Sequence, residues 1–320
     1  MQGEALIEWP GVASELVEFV GAFMASGAVG FAFTALRRLP DAAGPGSSRA
    51  IAGRRAAVIG LVGALVNLWH LWEVLPRAAS RAHQSVGQLL TGYNPSSIWM
   101  GMAVLMLLGF LLALARMNFG WALAGIGVVL GGLRNALVGN FGRLITPTHL
   151  LAGGLWIGTL FVLVVAGIAV VMRHEPAERR GALVAGMVNA FSPLALAMGG
   201  LVVLMGVIAA WRELGGDLTL LWTTPYGYAL LTKLFFVAIV FGLGAWNWRR
   251  QRPTLGSDGA AVSIRRSARG ELIAALLVLI ATSIMLNLPK PDEREGGPAP
   301  GGAPGGTPPA AAPAGGGPPG

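Results

Sequence analysis

Residues 146–172 read TPTHLLAGGLWIGTLFVLVVAGIAVVM, and from His149 to Met172 no Asp, Glu, Lys or Arg interrupts them. At about 1.5 Å per residue, an apolar stretch of this length crosses the roughly 30 Å hydrocarbon core as one helix. Pro147 suits the first helical turn, and the one ionisable group, His149, follows two residues on. Counting by fours and threes puts His149, Gly153 and Trp156 on one helical face. An imidazole, a gap for a neighbour and an aromatic lid therefore line up near one membrane surface.

The rest of the chain has the same character. Of its 320 residues 54% are apolar and only 12% charged, against roughly 25% charged in soluble domains. The composition is that of an integral membrane protein. Cysteine is absent, which excludes disulfides, thiolate metal ligands, CxxC metal motifs and covalent c-type haem. A net charge of +8 could suggest nucleic acid, but the basic residues lie between apolar spans and form no single patch. That distribution is the positive-inside pattern, and it excludes the nucleic-acid reading.

Apolar spans are expected at about 14–36, 56–75, 97–115, 120–139, 148–172, 188–211, 227–248 and 270–288. Glu4, Glu8, Glu15 and Glu18 precede any Lys or Arg, the reverse of a secretory signal, so the first span reads as a retained helix. Eight spans put both termini on one side. With both termini outside, fifteen Lys and Arg fall on the inner side and seven on the outer, which favours that orientation. The turn between the third and fourth spans rests on Arg116 alone. The expected fold is an all-α polytopic transmembrane bundle of about eight helices, both termini on the outer, periplasmic side. It divides into an N-terminal four-helix half (1–140), a second four-helix half (141–289) and a disordered Gly/Pro/Ala-rich tail (290–320). Glycines four apart, such as Gly127/Gly131 and Gly154/Gly158, fit close helix packing in lipid.

Ionisable groups at membrane depth are costly and so mark functional sites. They gather towards the outer side: His70 and Glu73 in the second span, His149 opening the fifth, Lys233 two turns into the seventh. The thioethers follow the same bias, with Met100 and Met102 starting the third span and Met205 in the outer half of the sixth. Imidazole nitrogen and thioether sulfur suit copper when no thiolate is present. Against this stand ordinary roles: Met fills gaps in apolar packing, Lys snorkels, and Trp belongs to interfacial belts.

Several pieces of the C-terminal half come in a recognisable order. They are His149-Leu-Leu-Ala-Gly-Gly-Leu-Trp156-Ile-Gly158, Phe191-Ser-Pro-Leu-Ala195, Met205-Gly-Val-Ile-Ala-Ala210, Thr223-Thr-Pro-Tyr-Gly227, Leu231-Thr-Lys-Leu234, Asn247, Arg266-Ser267 and Glu271-Leu272. Over about 148–288 the chain resembles the copper resistance D (CopD) family of bacterial copper handling. The resemblance implies a multi-pass inner-membrane protein of copper uptake or resistance, often partnered by a small periplasmic copper-binding protein. It singles out His149, Trp156, Tyr226 and Lys233.

The reading is a copper permease rather than an enzyme, with no catalytic residue assigned. Copper is its transient substrate, received by His149 with His70, Met100, Met102 and Met205 as further ligands. No GxxxxGK[ST] loop is present, so a gradient or handoff would drive movement. Proton coupling would involve Glu73 or Lys233. Two alternatives stand beside it: a redox protein holding haem between His70 and His149, and an assembly factor delivering copper to another membrane enzyme.

Overall fold

The computed structural model describes residues 9–41, 46–140, 143–251 and 258–288. The acidic residues Glu4 and Glu8, Arg252, and the tail with Lys290 and Arg294 lie outside the described residues. Among the described residues there is no strand. The chain is an antiparallel bundle of α1 (Trp9–Phe33), α2 (Ser48–Arg81), short α3 (Val86–Thr91), α4 (Pro95–Leu114), α5 (Phe119–Gly132), one-turn α6 (Arg134–Leu137), α7 (Ile145–His174), α8 (Ala177–Glu213), one-turn α9 (Leu220–Thr223), α10 (Pro225–Gln251) and α11 (Asp258–Leu286).

Seven of these helices are long and apolar enough to cross a membrane. The fourth expected span is the exception. α5 has 14 residues, about 21 Å of rise, too short for the hydrocarbon core by itself. It breaks at Leu133, and one-turn α6 carries the chain on. The Arg134 guanidinium turns back to donate from Nη1 to the Gly131 carbonyl at 3.0 Å. That satisfies one of the carbonyls a helix C-terminus leaves open. Arg134 also lies 4.2 Å over the ring of Trp99, and the Tyr93 hydroxyl donates to the Leu137 carbonyl. The α5–α6 pair thus returns the chain to the end where α4 began.

The first and last helices meet at that same end: a Cβ added to Gly11 would strike Asn287, just past the end of α11. Even-numbered passage of the bundle follows. The remaining helices are continuous, and their bounds lie within a turn or two of the expected spans, with α2, α8 and α11 extended at their polar ends.

Glycine permits the closest crossing. The added Cβ of Gly27 would lie 2.2 Å from the Gly158 carbonyl carbon, and that of Gly158 2.1 Å from the Phe23 carbonyl oxygen. Backbone meets backbone there, as the small residues in residues 154–158 led one to expect. Gly127 likewise sits against the backbone of Met102 and Met106. α7 accommodates its crossing with two wide π turns, Gly154–Gly158 and Leu163–Ile168, a geometry that recurs at functional sites.

The main core joins both sequence halves. Phe31 of α1, Ala52 and Ala56 of α2, Leu163 and Ile168 of α7, Val184 and Met187 of α8 and Ala268 of α11 are buried together. The outside is equally apolar: Leu196, Val207, Phe235 and Ile273 are each more than 60% exposed. An isolated bundle with such a surface needs lipid around it.

Candidate functional site

At the end of the bundle where α1 begins, two polar clusters form on opposite sides of α1. The first is built around His149. Its position just inside α7 turns the ring towards α8, and Nδ1 lies 2.9 Å from the carbonyl oxygen of Val202. A carbonyl can only accept, so Nδ1–H donates, and the Nε2 lone pair is left available in the neutral ring. Gly206, one turn beyond Val202, keeps the space open: an added Cβ would lie 3.1 Å from the imidazole Cε1. The half-buried Lys233 of α10 is within electrostatic reach of this imidazole, and no carboxylate pairs with it among the described residues.

Trp156, two turns on, lies against Phe241 of α10, ring centroids 4.7 Å apart, with Gly199 of α8 beside it. His149 and Trp156 therefore share the α8/α10 side as expected. Gly153 does not close the set. Its Cα faces Phe23 of α1, because position 153 is about 40° around the helix from 149 and falls on the α1 border. Tyr226 is buried at the start of α10 with Leu214, Leu230 and Met285. Met205 is half-buried on α8, three residues past Val202 and so on an adjoining part of the same face.

The second cluster surrounds His70. Its Nε2 lies 3.1 Å from Glu18 Oε2, and Nδ1 lies 3.4 Å from the Ser14 hydroxyl, which is also 3.5 Å from Glu73 Oε2. The hydroxyl has one proton, so it donates to only one of these at a time. Trp99 covers the imidazole at 6.0 Å, with Arg134 on that tryptophan. Glu15 is within electrostatic reach of both Glu18 and His70. Glu15 and Glu18 were legible only as acidic charges preceding any Lys or Arg. Their spacing of three on the opening turns of α1 repeats that of His70 and Glu73, and this was the available signal.

The two imidazoles are not brought together. At this end α1 stands between α2 and α7: Gly21 packs on Val66 and Asn67, while Phe23 and Ser26 pack on Gly153 and Gly154. A haem bridging His70 and His149 finds no support in this arrangement, since Nε2 of His70 is engaged by Glu18 and the rings face different helices. Met100 packs with Leu71 and Leu75 of α2, and Met102 against Gly131 of α5. Neither joins His149. Among the described residues no group of three or more His, Asp or Glu is arranged to hold a metal ion.

The comparison with protein families bears on α8, α10 and α11. Residues 185–285 match the family Copper resistance protein D. The match bears out the resemblance over most of the stretch that carried it. Met205, Tyr226 and Lys233 fall within it; His149 and Trp156, on α7, lie outside it. No curated protein and no solved structure gives a significant match. The chain is a multi-pass membrane protein, and its residues 185–285 are similar to that family.

Proposed function

We propose that this chain carries copper across the bacterial inner membrane, receiving the ion at the end where His149 lies and passing it inward. The single observation behind the proposal is the Nδ1–H···O=C bond from His149 to Val202. Metal-binding imidazoles characteristically anchor one ring nitrogen on a backbone carbonyl or carboxylate, which fixes the tautomer and presents the other nitrogen. Met205 supplies a soft donor on the neighbouring face. Trp156 and Tyr226 border the route, and Lys233 opposes a resident positive charge, so a cation there is held briefly and released. The acidic cluster of Glu15, Glu18 and Glu73 around His70 adds a negative potential at the same end, which attracts cations. A small periplasmic copper-binding protein is the partner suited to deliver the ion, because the chain has no His-rich or Met-rich run of its own. Both termini then face the periplasm.

The test combines copper accumulation in cells with metal content of the purified protein. Wild type should raise accumulation and retain copper on purification. His149→Ala should lose both by about tenfold or more, whereas Met100→Ala should keep both. Equal accumulation in wild type and His149→Ala removes the imidazole from the mechanism. Copper retention without transport in liposomes would turn the reading towards delivery to another membrane enzyme.

A further inference from the structure

At the opposite end of the bundle, α2, α4 and α7 leave a cleft of about 830 Å³ between them. Its rim carries four guanidinium groups, Arg54 and Arg55 from α2, Arg116 after α4 and Arg173 from α7. No hydrogen bond or ion pair joins any of the four to a carboxylate among the described residues. One turn further along α2 the wall becomes apolar, with Val58 44% exposed, and Val165 of α7 faces it 41% exposed. Four like charges in one cleft repel one another, and no carboxylate among the described residues pairs with them to offset that repulsion.

Arg116 adds a second, independent observation. It holds φ +66, in the left-handed region where a helix C-terminus ordinarily places glycine. The surrounding bonds are those of that motif: Met117 N–H donates to the Leu112 carbonyl at 2.9 Å and Arg116 N–H to that of Ala113 at 3.0 Å. Arginine is strained there, and the strain is kept together with a side chain that reaches the cleft.

We infer that this cleft binds an anionic phospholipid, its headgroup phosphate held by Arg54, Arg55, Arg116 and Arg173 and its acyl chains lying on Val58 and Val165. Guanidinium forks match phosphate oxygens bidentately, and several around one phosphate remove the repulsion among them. Basic pockets between membrane helices on the inner face are where acidic headgroups settle. The apolar wall below the charged rim selects a lipid over free phosphate, since only a lipid fills both parts. The site is independent of the copper proposal, lying at the other end of the bundle.

The full chain, purified and stripped of lipid in detergent, is titrated with phosphatidylglycerol, with phosphatidylcholine of the same acyl chains, or with inorganic phosphate. Thermal unfolding and native mass spectrometry report binding. Phosphatidylglycerol should raise the unfolding temperature and remain bound; the other two should do neither. The double variant R116Q/R173Q should weaken phosphatidylglycerol by about thirtyfold, from about 1 kcal/mol of attraction lost per arginine near an acidic headgroup at about 1.4 kcal/mol per tenfold. R179Q, outside the cleft, should bind as wild type does. R116G guards against misfolding: glycine relieves the left-handed backbone, so the lipid-free protein should unfold no earlier than wild type, yet bind phosphatidylglycerol more weakly. Equal binding of the two lipids, or equal binding by wild type and R116G, overturns the proposal. Inorganic phosphate that reproduces the shift and displaces the lipid overturns it in favour of a soluble-anion site.

Discussion

At the scale of single residues, the polar groups within this membrane bundle have found partners of quite different kinds. His149 bonds to a backbone carbonyl, which no side-chain substitution removes directly, but Gly206 gives access to it. A valine at 206 would push on an imidazole carbon now 3.1 Å from the added Cβ and turn the ring off Val202. Gly206→Val is expected to lower copper retention about tenfold or more while the protein still elutes as a folded species. Retention unchanged in this variant would show that the ring orientation does not matter. His70 is held instead by a carboxylate on another helix, at 3.1 Å with both side chains largely buried. Losing a hydrogen bond to a charged group costs about 2 kcal/mol. Glu18→Gln and His70→Ala should each destabilise the protein by that order. The double variant should cost no more than the larger single loss, because the two groups act through one contact. Unfolding midpoints in detergent provide the measurement, and simple additivity would count against the pair.

At the scale of helices, close approach governs what sequence spacing could and could not reveal. The glycines of residues 154–158 were readable as a packing stripe because small residues four apart have one mechanical use in lipid. Their partner was not readable: Gly27 sits in a glycine- and alanine-rich helix where many registers look alike. Gly27→Ala would force a methyl to 2.2 Å from the Gly158 carbonyl, and overpacking of this kind costs about 1–3 kcal/mol. Gly101→Ala, where an added Cβ meets nothing within 4 Å, should be neutral in the same unfolding assay. The fate of the fourth span was also hidden. Residues 120–133 have a continuous apolar pattern, and Arg134-Asn135 could be read as polar groups within one unbroken span, so the break at Leu133 was not announced. The break comes from Arg134, whose guanidinium serves the Gly131 carbonyl and the Trp99 ring together. The same limit applies to the site. Periodicity could group His149 with Trp156 along one helix, and the fold keeps them together. It could not say that α1 would come between His70 and His149, since that depends on which helices neighbour one another.

For the whole molecule the open quantity is orientation in the membrane. The geometry fixes the relation between the ends: α1 begins and α11 finishes at one end, beside both imidazoles, while Arg37, Arg38, Arg54, Arg55, Arg116 and Arg173 line clefts at the other. Arg116, the one basic residue of its turn, shares a cleft with three other arginines, so the turn after α4 no longer depends on a single charge. Positive charge is retained on the cytoplasmic side during insertion, which predicts the arginine-lined end in the cytoplasm and His70 and His149 on the periplasmic side. The chain has no cysteine, so single-cysteine variants report position without background. Ser85→Cys, between α2 and α3, and Asp217→Cys, between α8 and α9, should react with a membrane-impermeant maleimide on intact cells from which the outer barrier has been removed. Asn118→Cys, between α4 and α5, and Glu178→Cys, at the start of α8, should react only after the inner membrane is opened. Ser85 labelled with Asn118 protected requires the intervening α4 to cross. Protection at Asn118 together with labelling at Asp217 requires a net odd number of crossings between them, which α5–α6, α7 and α8 supply only if the short α5–α6 pair truly traverses. Labelling of Asn118 and Glu178 from outside, with Ser85 and Asp217 protected, would invert the molecule and put His149 at the cytoplasmic face, making copper capture from the periplasm impossible by this route.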